Sequence, residues 1–256
     1  MSKRHAFVTG AGSGIGKAIA LALAADGYIV SLAGRRAAPL EAVRDEIRAA
    51  GGEAVAHDGF DVTDAAAVER GIAAAIAKAG EIAVLVNCAG EAPSAPFEKT
   101  DPALWQRVLA INLTGVYLVT QAALASVRRA GNGRIVNVAS TAGLTGYAYV
   151  SAYCAAKHGV IGLTRALALE LARSDVTVNA VCPGFTDTPL IDAALETITR
   201  KTGRSREEAR ASLARSNPQG RLVMPGEVAH TVRWLVCEGA SAITGQAIAV
   251  AGGEIL

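Results

Sequence analysis

T-G-A-G-S-G-I-G, from Thr9 to Gly16, joins a short apolar run to a longer segment rich in Ala and Leu. The run Ala6–Thr9 predicts a strand, and the segment after Gly16 predicts a helix that ends near Ala25. A glycine-rich turn between strand and helix lets the backbone approach a pyrophosphate. The free N–H groups and the dipole of the helix N-terminus favour such an anion. The spacing T-G-x-x-x-G-x-G therefore predicts a dinucleotide-binding turn, the alternative being a tight turn that needs glycine for its shape alone.

Strand-like and helix-like segments alternate along the whole chain, which predicts a parallel sheet covered by helices on both faces. We therefore expect an α/β fold, a single Rossmann-type doubly wound parallel sheet of about seven strands. No repeat, low-complexity tract or linker divides the sequence, so we expect residues 1–256 to form a single dinucleotide-binding and catalytic domain. The predicted strands are Ala6–Thr9, Tyr28–Gly34, Glu53–Ala56, Ile82–Val86, Arg134–Ala139, Val176–Val181 and Gln246–Val250. The main predicted helices are Pro39–Ala50, Asp101–Arg129, Val150–Arg173 and Pro225–Glu238, and a further helix, capped by Thr63 or Asp64, runs to about Lys78.

Residues that directly follow the predicted strands are the candidates for ligand binding, because ligands of open parallel sheets bind beyond the carboxyl ends of the strands. The segments in that position are Gly10–Gly16, Arg35, Asp61, Asn87–Gly90, Ser140 and Pro183. Their shared location predicts one site at one edge of the sheet, with Asp61 as a candidate contact to adenine.

The end of the second strand bears on which nicotinamide cofactor binds. Sites that prefer NAD usually place Asp or Glu there to accept a hydrogen bond from the ribose 2′-OH. This chain reads A-G-R-R at that point, with Arg35 and Arg36 and no acid. Arginines can hold a 2′-phosphate, so NADP(H) is favoured and NAD(H) stays possible. The alternative is a pair of solvated loop arginines.

The segment from Ser140 to Lys157 holds a hydroxyl, a phenol and an amine that could meet in space. Tyr153 and Lys157 are four residues apart and lie on one face of a helix. A cation near a phenol favours the phenolate and lowers its pKa, and such a tyrosine can exchange a proton with a carbonyl or an alcohol. Taken alone, such a pair is more often an ordinary helix face than a catalytic site.

Composition excludes several classes of protein. Charged residues make up 19% of the chain and the net charge is +2, which does not suggest a nucleic-acid surface. No apolar run approaches the roughly 18 residues of a membrane span, and the N-terminus does not resemble a signal peptide. The four cysteines show no paired spacing, so we expect reduced, mostly buried thiols, no metal site and a cytoplasmic location.

These motifs together resemble the short-chain dehydrogenase/reductase family over nearly the whole chain. The family's T-G-x-x-x-G-I-G is Thr9–Gly16, its N-N-A-G is Asn87–Gly90 with Cys88 at the second position, and its P-G-x-x-x-T is Pro183–Thr188. The resemblance implies that Asn112, Ser140, Tyr153 and Lys157 are catalytic. The expected cofactor contacts are Gly10, Ser13, Gly14, Ile15, Gly16, Arg35, Asp61, Val62, Asn87, Ala89, Gly90, Tyr153, Lys157, Pro183, Gly184, Thr186 and Thr188.

Three positions depart from the family pattern. Ala156 replaces the Ser that often precedes the catalytic lysine, and Ala251 replaces the Asp of a near-terminal V-D-G-G. Ser13 stands where many members that prefer NADP carry Arg or Lys, which counts against that preference without reversing it.

The resemblance also implies a mechanism. Ser140 would bind the carbonyl oxygen and Tyr153 would protonate it as hydride arrives at carbon. Lys157 would hold the nicotinamide ribose and lower the Tyr153 pKa. Asn112 would fix a local irregularity in its helix and bind a water that links Lys157 to solvent.

Substrate choice is expected to reside in the segments 91–97, 142–151 and 185–220. The last is predicted to form two helices over the cleft, a lid whose basic residues could receive an anionic CoA or carrier-protein thioester. The alternative is a pair of solvated charged helices. The residues involved are Arg200, Lys201, Arg204, Arg206, Arg210, Arg215 and Arg221.

The segment around Tyr147, Tyr149 and C-A-A-K is similar to that of 3-oxoacyl thioester reductases and 3-hydroxybutyrate dehydrogenases. We therefore expect an oxidoreductase acting on a 3-oxoacyl or 3-hydroxyacyl thioester. Another secondary alcohol (3-hydroxybutyrate, a polyol, a cyclic alcohol or a steroid-like ketone) remains an alternative, and a non-catalytic cofactor-binding sensor remains another. The two long apolar helices, residues 101–129 and 150–173, exceed what one sheet face can cover. Because family members pair these helices between subunits, we expect a homotetramer, with a dimer second.

Overall fold

The computed structural model describes residues 3–255, and at its centre lies one sheet of seven strands in the order β3-β2-β1-β4-β5-β6-β7. Every neighbouring pair of strands is parallel. The predicted fold class is therefore confirmed; residues 1, 2 and 256 of the predicted domain lie outside the described residues. The strands are β1 His5–Thr9, β2 Ile29–Ala33, β3 Glu53–His57, β4 Ile82–Asn87, β5 Arg134–Val138, β6 Thr177–Pro183 and β7 Ala247–Val250.

Helices cover both faces of this sheet, as expected. They are α1 Gly14–Ala25, α2 Ala37–Ala49, α3 Ala65–Ala79, α4 Pro102–Leu109, α5 Gly115–Arg129, α6 Ser151–Glu170, α7 Pro189–Thr202, α8 Arg206–Ala214 and α9 Pro225–Val236. Asp64 caps α3 by accepting from the backbone N–H groups of Ala66 and Ala67, which confirms one of the two predicted caps.

Successive side chains of the central strands point alternately into two apolar layers, one on each face of the sheet. On β1, Ala6 and Val8 pack with Ile19 of α1, whereas Phe7 points to the opposite layer with residues of α3 and α5. All five residues of β1 are buried, because helices cover both faces of a parallel sheet. The core is thus built from Ala, Val, Leu and Ile, and the sheet's carboxyl edge is left for the site.

The long helix predicted from Asp101 to Arg129 is interrupted near its middle. Ala110–Thr114 forms a π-helical turn between α4 and α5, and Asn112 lies within it, fully buried. The predicted irregularity at Asn112 is therefore present. Single π turns often occur at functional sites because they redirect the backbone locally.

The segment Pro102–Arg129 is long and apolar enough to span a membrane by length and composition. The expectation from the sequence that nothing approaches that length is therefore wrong. In the structure, α5 packs its buried residues Val119, Ala123 and Val127 into the layer beneath β1 and β4. A core helix of a soluble protein passes the same test of length and hydropathy, so this is weak evidence for a membrane.

The segment after β6 forms α7 and α8, so the two helices predicted there are present, whereas their role as a lid stays a prediction. Three of its basic residues make ion pairs. Arg206 pairs with Asp192, Arg210 makes two bonds of 3.0 and 2.7 Å to Asp187, and Arg221 pairs with Glu227. The segment is thus less available to an anionic partner than its sequence suggests.

Candidate active site

A cleft of about 340 Å³ lies along the carboxyl ends of β1, β2, β4, β5 and β6. Every residue predicted to contact the cofactor lines this cleft, except Asn87. Ser140, Tyr153 and Lys157 line it as well. The strand ends therefore bring the glycine turn and three of the four predicted catalytic residues into one site.

The turn after β1 depends on glycine for its shape. Gly10 and Gly14 have φ angles of +67° and +53°, which side chains rarely adopt. A Cβ at Gly16 would overlap the carbonyl oxygen of Gly10, so only glycine permits this approach of helix to turn. Ser13 precedes α1 without making a side-chain capping bond, which leaves the first N–H groups of the helix to another partner. This arrangement fits the pyrophosphate of a dinucleotide.

The end of β2 gives the cleft a positive border. Arg35 and Arg36 line it and are exposed. The Asp61 carboxylate accepts from the backbone N–H and the hydroxyl of Thr63, at 2.9 and 2.8 Å. The bond from the Thr63 backbone holds the pKa of Asp61 below its usual value, and the Arg35 charge adds to this effect. Cations at this border fit an anionic 2′-phosphate better than a ribose hydroxyl.

The end of β4 is fixed against β1 by Thr9. Its hydroxyl oxygen accepts from the backbone N–H groups of Cys88 and Ala89 at 2.9 and 3.1 Å. The Asn87 side chain instead points into the core, where it donates to Thr120 and Asn137. Asn87 therefore lies behind the cleft wall and supports it, and the structure gives no contact from Asn87 to the cleft.

Ser140, Tyr153 and Lys157 come from two elements. Ser140 follows β5 and caps the short helical turn Thr141–Gly143 by accepting from Ala142 N–H at 3.1 Å. The Ser140 hydroxyl also interacts with the Tyr153 phenol and lowers its pKa. Lys157 Nζ donates to the Val138 carbonyl at 2.8 Å and lies 5.5 Å from the centre of the Tyr153 ring. A hydroxyl, a phenol and an amine thus meet at the end of β5.

Burial dominates the proton affinities of this group. It raises the pKa of Tyr153 to about 12, partly offset by the hydrogen bond from Ser140, and it lowers the pKa of Lys157 to about 8. The expectation that Lys157 lowers the Tyr153 pKa is therefore wrong for this structure. The reason is that burial is the largest cause of the shift, and Lys157 is not among the groups that lower this pKa. A phenol that keeps its proton at neutral pH is suited to act as a general acid.

Asn112 lies behind these residues and does not line the cleft. Its amide donates to the carbonyls of Glu91 and Val108 at 2.9 and 3.0 Å, and its oxygen accepts from Glu91 N–H at 3.3 Å. A Cβ at Gly90 would lie 2.8 Å from Asn112 Oδ1 and 3.9 Å from Lys157 Nζ. Asn112 therefore joins the π turn to the loop beside Lys157.

The loop after β6 closes the other side of the cleft. Thr186 donates to the Gly184 carbonyl at 2.9 Å, and Thr188 donates to the Thr186 carbonyl at 3.1 Å. A Cβ at Gly14 would lie 3.2 Å from Thr188, so this loop touches the glycine turn directly. The predicted Pro183–Thr188 segment is thus held in a fixed shape against the turn that would hold the pyrophosphate.

Sequence reasoning missed several residues of the cleft. Ile111, Leu40 and Phe60 line it although they lie outside every segment predicted to bind cofactor or substrate. Burial raises the pKa of Cys88 to about 12, so this thiol stays protonated beside Lys157. Of the four free cysteines only Cys182 is fully buried and Cys237 is exposed, so the expectation of mostly buried thiols is wrong. Among the described residues, no group of three His, Cys, Asp or Glu side chains is placed to hold a metal ion.

Comparison with known proteins decides the family. The short chain dehydrogenase family model matches residues 4–198. The chain belongs to the short-chain dehydrogenase family. The predictions of family, of fold and of a nicotinamide-dependent enzyme are therefore confirmed.

Individual relatives cover almost the whole of this short-chain dehydrogenase. A putative ketoacyl reductase of Streptomyces coelicolor is 43% identical over 97% of this chain and 95% of its own length. A D-beta-hydroxybutyrate dehydrogenase of Cupriavidus necator is 39% identical over 100% of this chain and 99% of its own. A crystal structure of a single-residue variant of actinorhodin polyketide ketoreductase with NADPH has a TM-score of 0.95 and 41% identity, with 99% of each chain covered. The chain is thus an NAD(P)-dependent oxidoreductase that acts on a ketone or a secondary alcohol.

Proposed function

We propose that this enzyme uses NADPH to reduce the keto group of a 3-oxoacyl thioester, bound to CoA or to a carrier protein. The observation that carries the proposal is the single cleft in which Ser140, Tyr153 and Lys157 meet the glycine turn. The names of relatives support the substrate class, since a putative ketoacyl reductase shares 43% of its residues with this chain. We treat the chain as one catalytic domain, with α7 and α8 as its substrate lid.

Ser140, Tyr153 and Lys157 have different roles in the proposed reaction. A nicotinamide bound in the cleft would supply the hydride. Ser140 donates a hydrogen bond to the keto oxygen and holds the Tyr153 hydroxyl beside it. Tyr153 gives its proton to that oxygen, and its raised pKa keeps the phenol protonated at neutral pH, so the proton is available. Burial puts the pKa of Lys157 near 8, so its ammonium form at neutral pH binds the ribose hydroxyls and supports proton return to Tyr153.

The preference for NADPH rests on the positive border at the end of β2. Arg35 and Arg36 line the cleft there, and the related ketoreductase structure was determined with NADPH. Replacing Arg35→Asp should lower the preference for NADPH over NADH at least tenfold, because a carboxylate repels the 2′-phosphate and accepts from the 2′-OH. Arg44→Asp on α2, also a loss of one surface arginine, is the control. An unchanged preference in Arg35→Asp would contradict this assignment.

A dehydrogenase of another secondary alcohol is the second candidate. Its support lies in two relatives, the D-beta-hydroxybutyrate dehydrogenase of Cupriavidus necator and a cis-4-hydroxycyclohexanecarboxylate dehydrogenase of Sinomonas cyclohexanicum, which is 43% identical over 98% of this chain. Polyols and steroid-like ketones have no support beyond the shared chemistry. A non-catalytic sensor is disfavoured, because Ser140, Tyr153 and Lys157 are all present and meet in one cleft.

The proposal that the acyl group is bound to CoA or to a carrier protein depends on the positive charge of the α7–α8 segment. Arg206 and Arg210 are engaged by acids, so the basic residues proposed to meet a CoA or carrier phosphate are Arg200, Lys201 and Arg204. Reversing these three charges should raise the KM for acetoacetyl-CoA more than the KM for a short neutral ketone. Reversing Arg44 is the matched surface control. Equal effects on both substrates would remove the carrier from the proposal.

The function is tested by following the absorbance of reduced nicotinamide with acetoacetyl-CoA, using NADPH and NADH in parallel. Fast oxidation of NADPH alone supports both the cofactor and the substrate. Fast oxidation of NADH alone contradicts the cofactor assignment and favours a hydroxyacyl dehydrogenase. No oxidation of either, by protein shown to bind cofactor, discards the thioester and moves the search to cyclic and secondary alcohols.

We also propose that the enzyme works as a homotetramer in the cytoplasm. Two apolar side chains on the long helices support the assembly, because Tyr117 on α5 is 45% exposed and Leu169 on α6 is 80% exposed. Exposed apolar side chains mark subunit contacts where they form a contiguous patch, and we interpret Tyr117 and Leu169 in this way because the family resemblance implies that these two helices pair between subunits. Light scattering at micromolar concentration tests this, and a monomer mass would contradict it.

A further inference from the structure

Glu254, which follows β7, contacts the loop that comes after Ser140. Glu254 Oε1 is hydrogen-bonded to the Tyr147 hydroxyl at 2.6 Å, and that hydroxyl is 2.8 Å from Thr141 Oγ1. A phenol has one proton, and a carboxylate can only accept, so Tyr147 donates to Glu254 and accepts from Thr141. Since Thr141 follows Ser140 directly, this row of bonds ends one residue from the catalytic hydroxyl.

The same carboxylate also touches the loop after β6. A Cβ at Gly184 would lie 2.7 Å from Glu254 Oε2, so glycine at this position leaves the room that Glu254 occupies. Gly184 lines the cleft, and its neighbour Phe185 packs edge-on against the Tyr147 ring, with 5.8 Å between the ring centres. Glu254, Tyr147, Thr141 and Phe185, here called the Glu254 cluster, therefore join the loop that follows Ser140 to the loop of Gly184. Ser140 and Gly184 line the cleft, and the cluster lies directly behind them.

The Glu254 cluster holds a negative charge that the surrounding side chains do not balance. Oε2 is enclosed and has no hydrogen-bond partner in residues 3–255, and no basic side chain of those residues forms an ion pair with Glu254. Burial raises the pKa of Tyr147, and the bond to the carboxylate raises it further. An enclosed carboxylate with an unpaired oxygen is costly, and such groups are retained where they serve a function.

We infer that Glu254 is a specificity-determining residue, which positions Tyr147 and Thr141 and whose charge excludes substrates that end in a free carboxylate. The inference rests on the proposed function, because it concerns the substrate end of that same cleft. A neutral ester or thioester of a 3-oxo acid meets no penalty there. The free acid brings a second negative charge to the side of the cleft that Gly184 lines, close to the Glu254 carboxylate, where like charges repel. The enzyme should therefore prefer 3-oxoacyl esters and thioesters to 3-oxo acids such as acetoacetate.

The test compares acetoacetate with ethyl acetoacetate, which differ in this charge. Glu254→Gln keeps the size of the side chain and an oxygen that accepts from Tyr147, but removes the charge. We expect its kcat/KM for acetoacetate to rise at least tenfold relative to that for ethyl acetoacetate. Glu69→Gln removes one exposed charge on α3 and should leave the ratio at the wild-type value. If Glu254 had only a structural role, the variant would change kcat/KM for both substrates by the same factor and leave their ratio unchanged. That result overturns the inference.

A binding measurement decides the inference even where turnover is absent. Calorimetry with NADP⁺ present measures the affinity for each compound, because the oxidised cofactor cannot reduce a ketone. We expect Glu254→Gln to bind acetoacetate at least tenfold more tightly than wild type, and ethyl acetoacetate within threefold. Glu254→Ala carries the same expectation should the glutamine variant fail to fold. Failure of wild type to reduce any 3-oxo compound would refute the proposed function alone, whereas equal affinities of variant and wild type for acetoacetate would refute the role of Glu254.

Discussion

A buried row of side chains at the sheet makes stability depend on pH. His5 on β1, Ser31 on β2 and His57 on β3 are all buried, and Ser31 Oγ lies 2.8 Å from His5 Nε2 and 3.1 Å from His57 Nε2. His5 Nδ1 is 2.8 Å from the Gly80 carbonyl, which can only accept, so this nitrogen carries the proton. His5 Nε2 then accepts from Ser31, and Ser31 accepts from His57. Ser31 thus bonds the Nε2 atoms of both neutral rings, and a second proton on His5 would have to enter at the nitrogen that now accepts from Ser31.

The pKa of His57 determines how much unfolding free energy is lost as the pH falls. Its pKa is lowered from 6.5 to about 4, mainly by burial and also by the charges of Lys78 and His5, while Asp58 opposes the shift. A histidine whose folded pKa is depressed binds its proton more readily when unfolded. Its contribution is therefore complete above the unfolded pKa and is lost as pH falls from about 6.5 toward 4. The loss is about 2 kcal/mol at pH 5 and about 3 kcal/mol at pH 4. Burial also lowers the pKa of His5, which adds to the loss in the same direction.

Replacing His57→Gln tests this, because the amide still donates to Ser31 but cannot titrate. Urea unfolding at fixed protein concentration, at pH 7.5 and pH 5, gives the loss of unfolding free energy for each protein. Wild type should lose about 2 kcal/mol more than the variant over this interval. Protonation of carboxylates with depressed pKa values also lowers the unfolding free energy on acidification. These carboxylates are the same in both proteins, so their effects cancel in the comparison. Equal losses in the two proteins would refute the reasoning.

Three further predictions concern the cleft and the assembly. Because burial lowers the pKa of Lys157 to about 8, kcat/KM for reduction should be highest below pH 8 and fall above it as the ammonium form is lost. Lys157→Arg should remove that fall, and a profile identical to wild type would contradict it. Gly16→Ala should weaken NADPH binding at least tenfold by fluorescence titration, because the new methyl group overlaps the Gly10 carbonyl. Gly226→Ala on α9, with nothing near its Cβ position, is the control, and equal binding by both variants would contradict this. Leu169→Lys should reduce the mass in light scattering, and an unchanged mass would show that α6 is not a subunit contact.

The sequence predicted the strands and helices, and it predicted the edge of the sheet at which the candidate site residues meet. Local periodicity places the strands within a few residues, and parallel strands must bring their carboxyl ends together, so the shared cleft of Gly10, Ser140 and Lys157 could be inferred without coordinates. The π turn at Asn112 was expected only because the family resemblance implied an irregularity there.

Features that depend on distant residues could not be predicted. Glu254 and Tyr147 are 107 positions apart, and nothing in local spacing links a chain end to the loop after β5. The ion pair between Arg210 and Asp187 likewise joins two separate segments, which is why the basic segment seemed freer in sequence than it is. The Tyr153 pKa also depends on burial in the folded chain, which the spacing of Tyr153 and Lys157 does not reveal.

The central claim is that Tyr153 delivers a proton to a ketone whose carbon receives hydride in the cleft. The most direct test measures NADPH oxidation with acetoacetyl-CoA by wild type and by Tyr153→Phe, both saturated with cofactor. The phenylalanine variant keeps the ring but not the proton, so kcat should fall by about 10²–10⁴-fold while NADPH affinity changes little. Wild-type turnover by Tyr153→Phe would contradict the account.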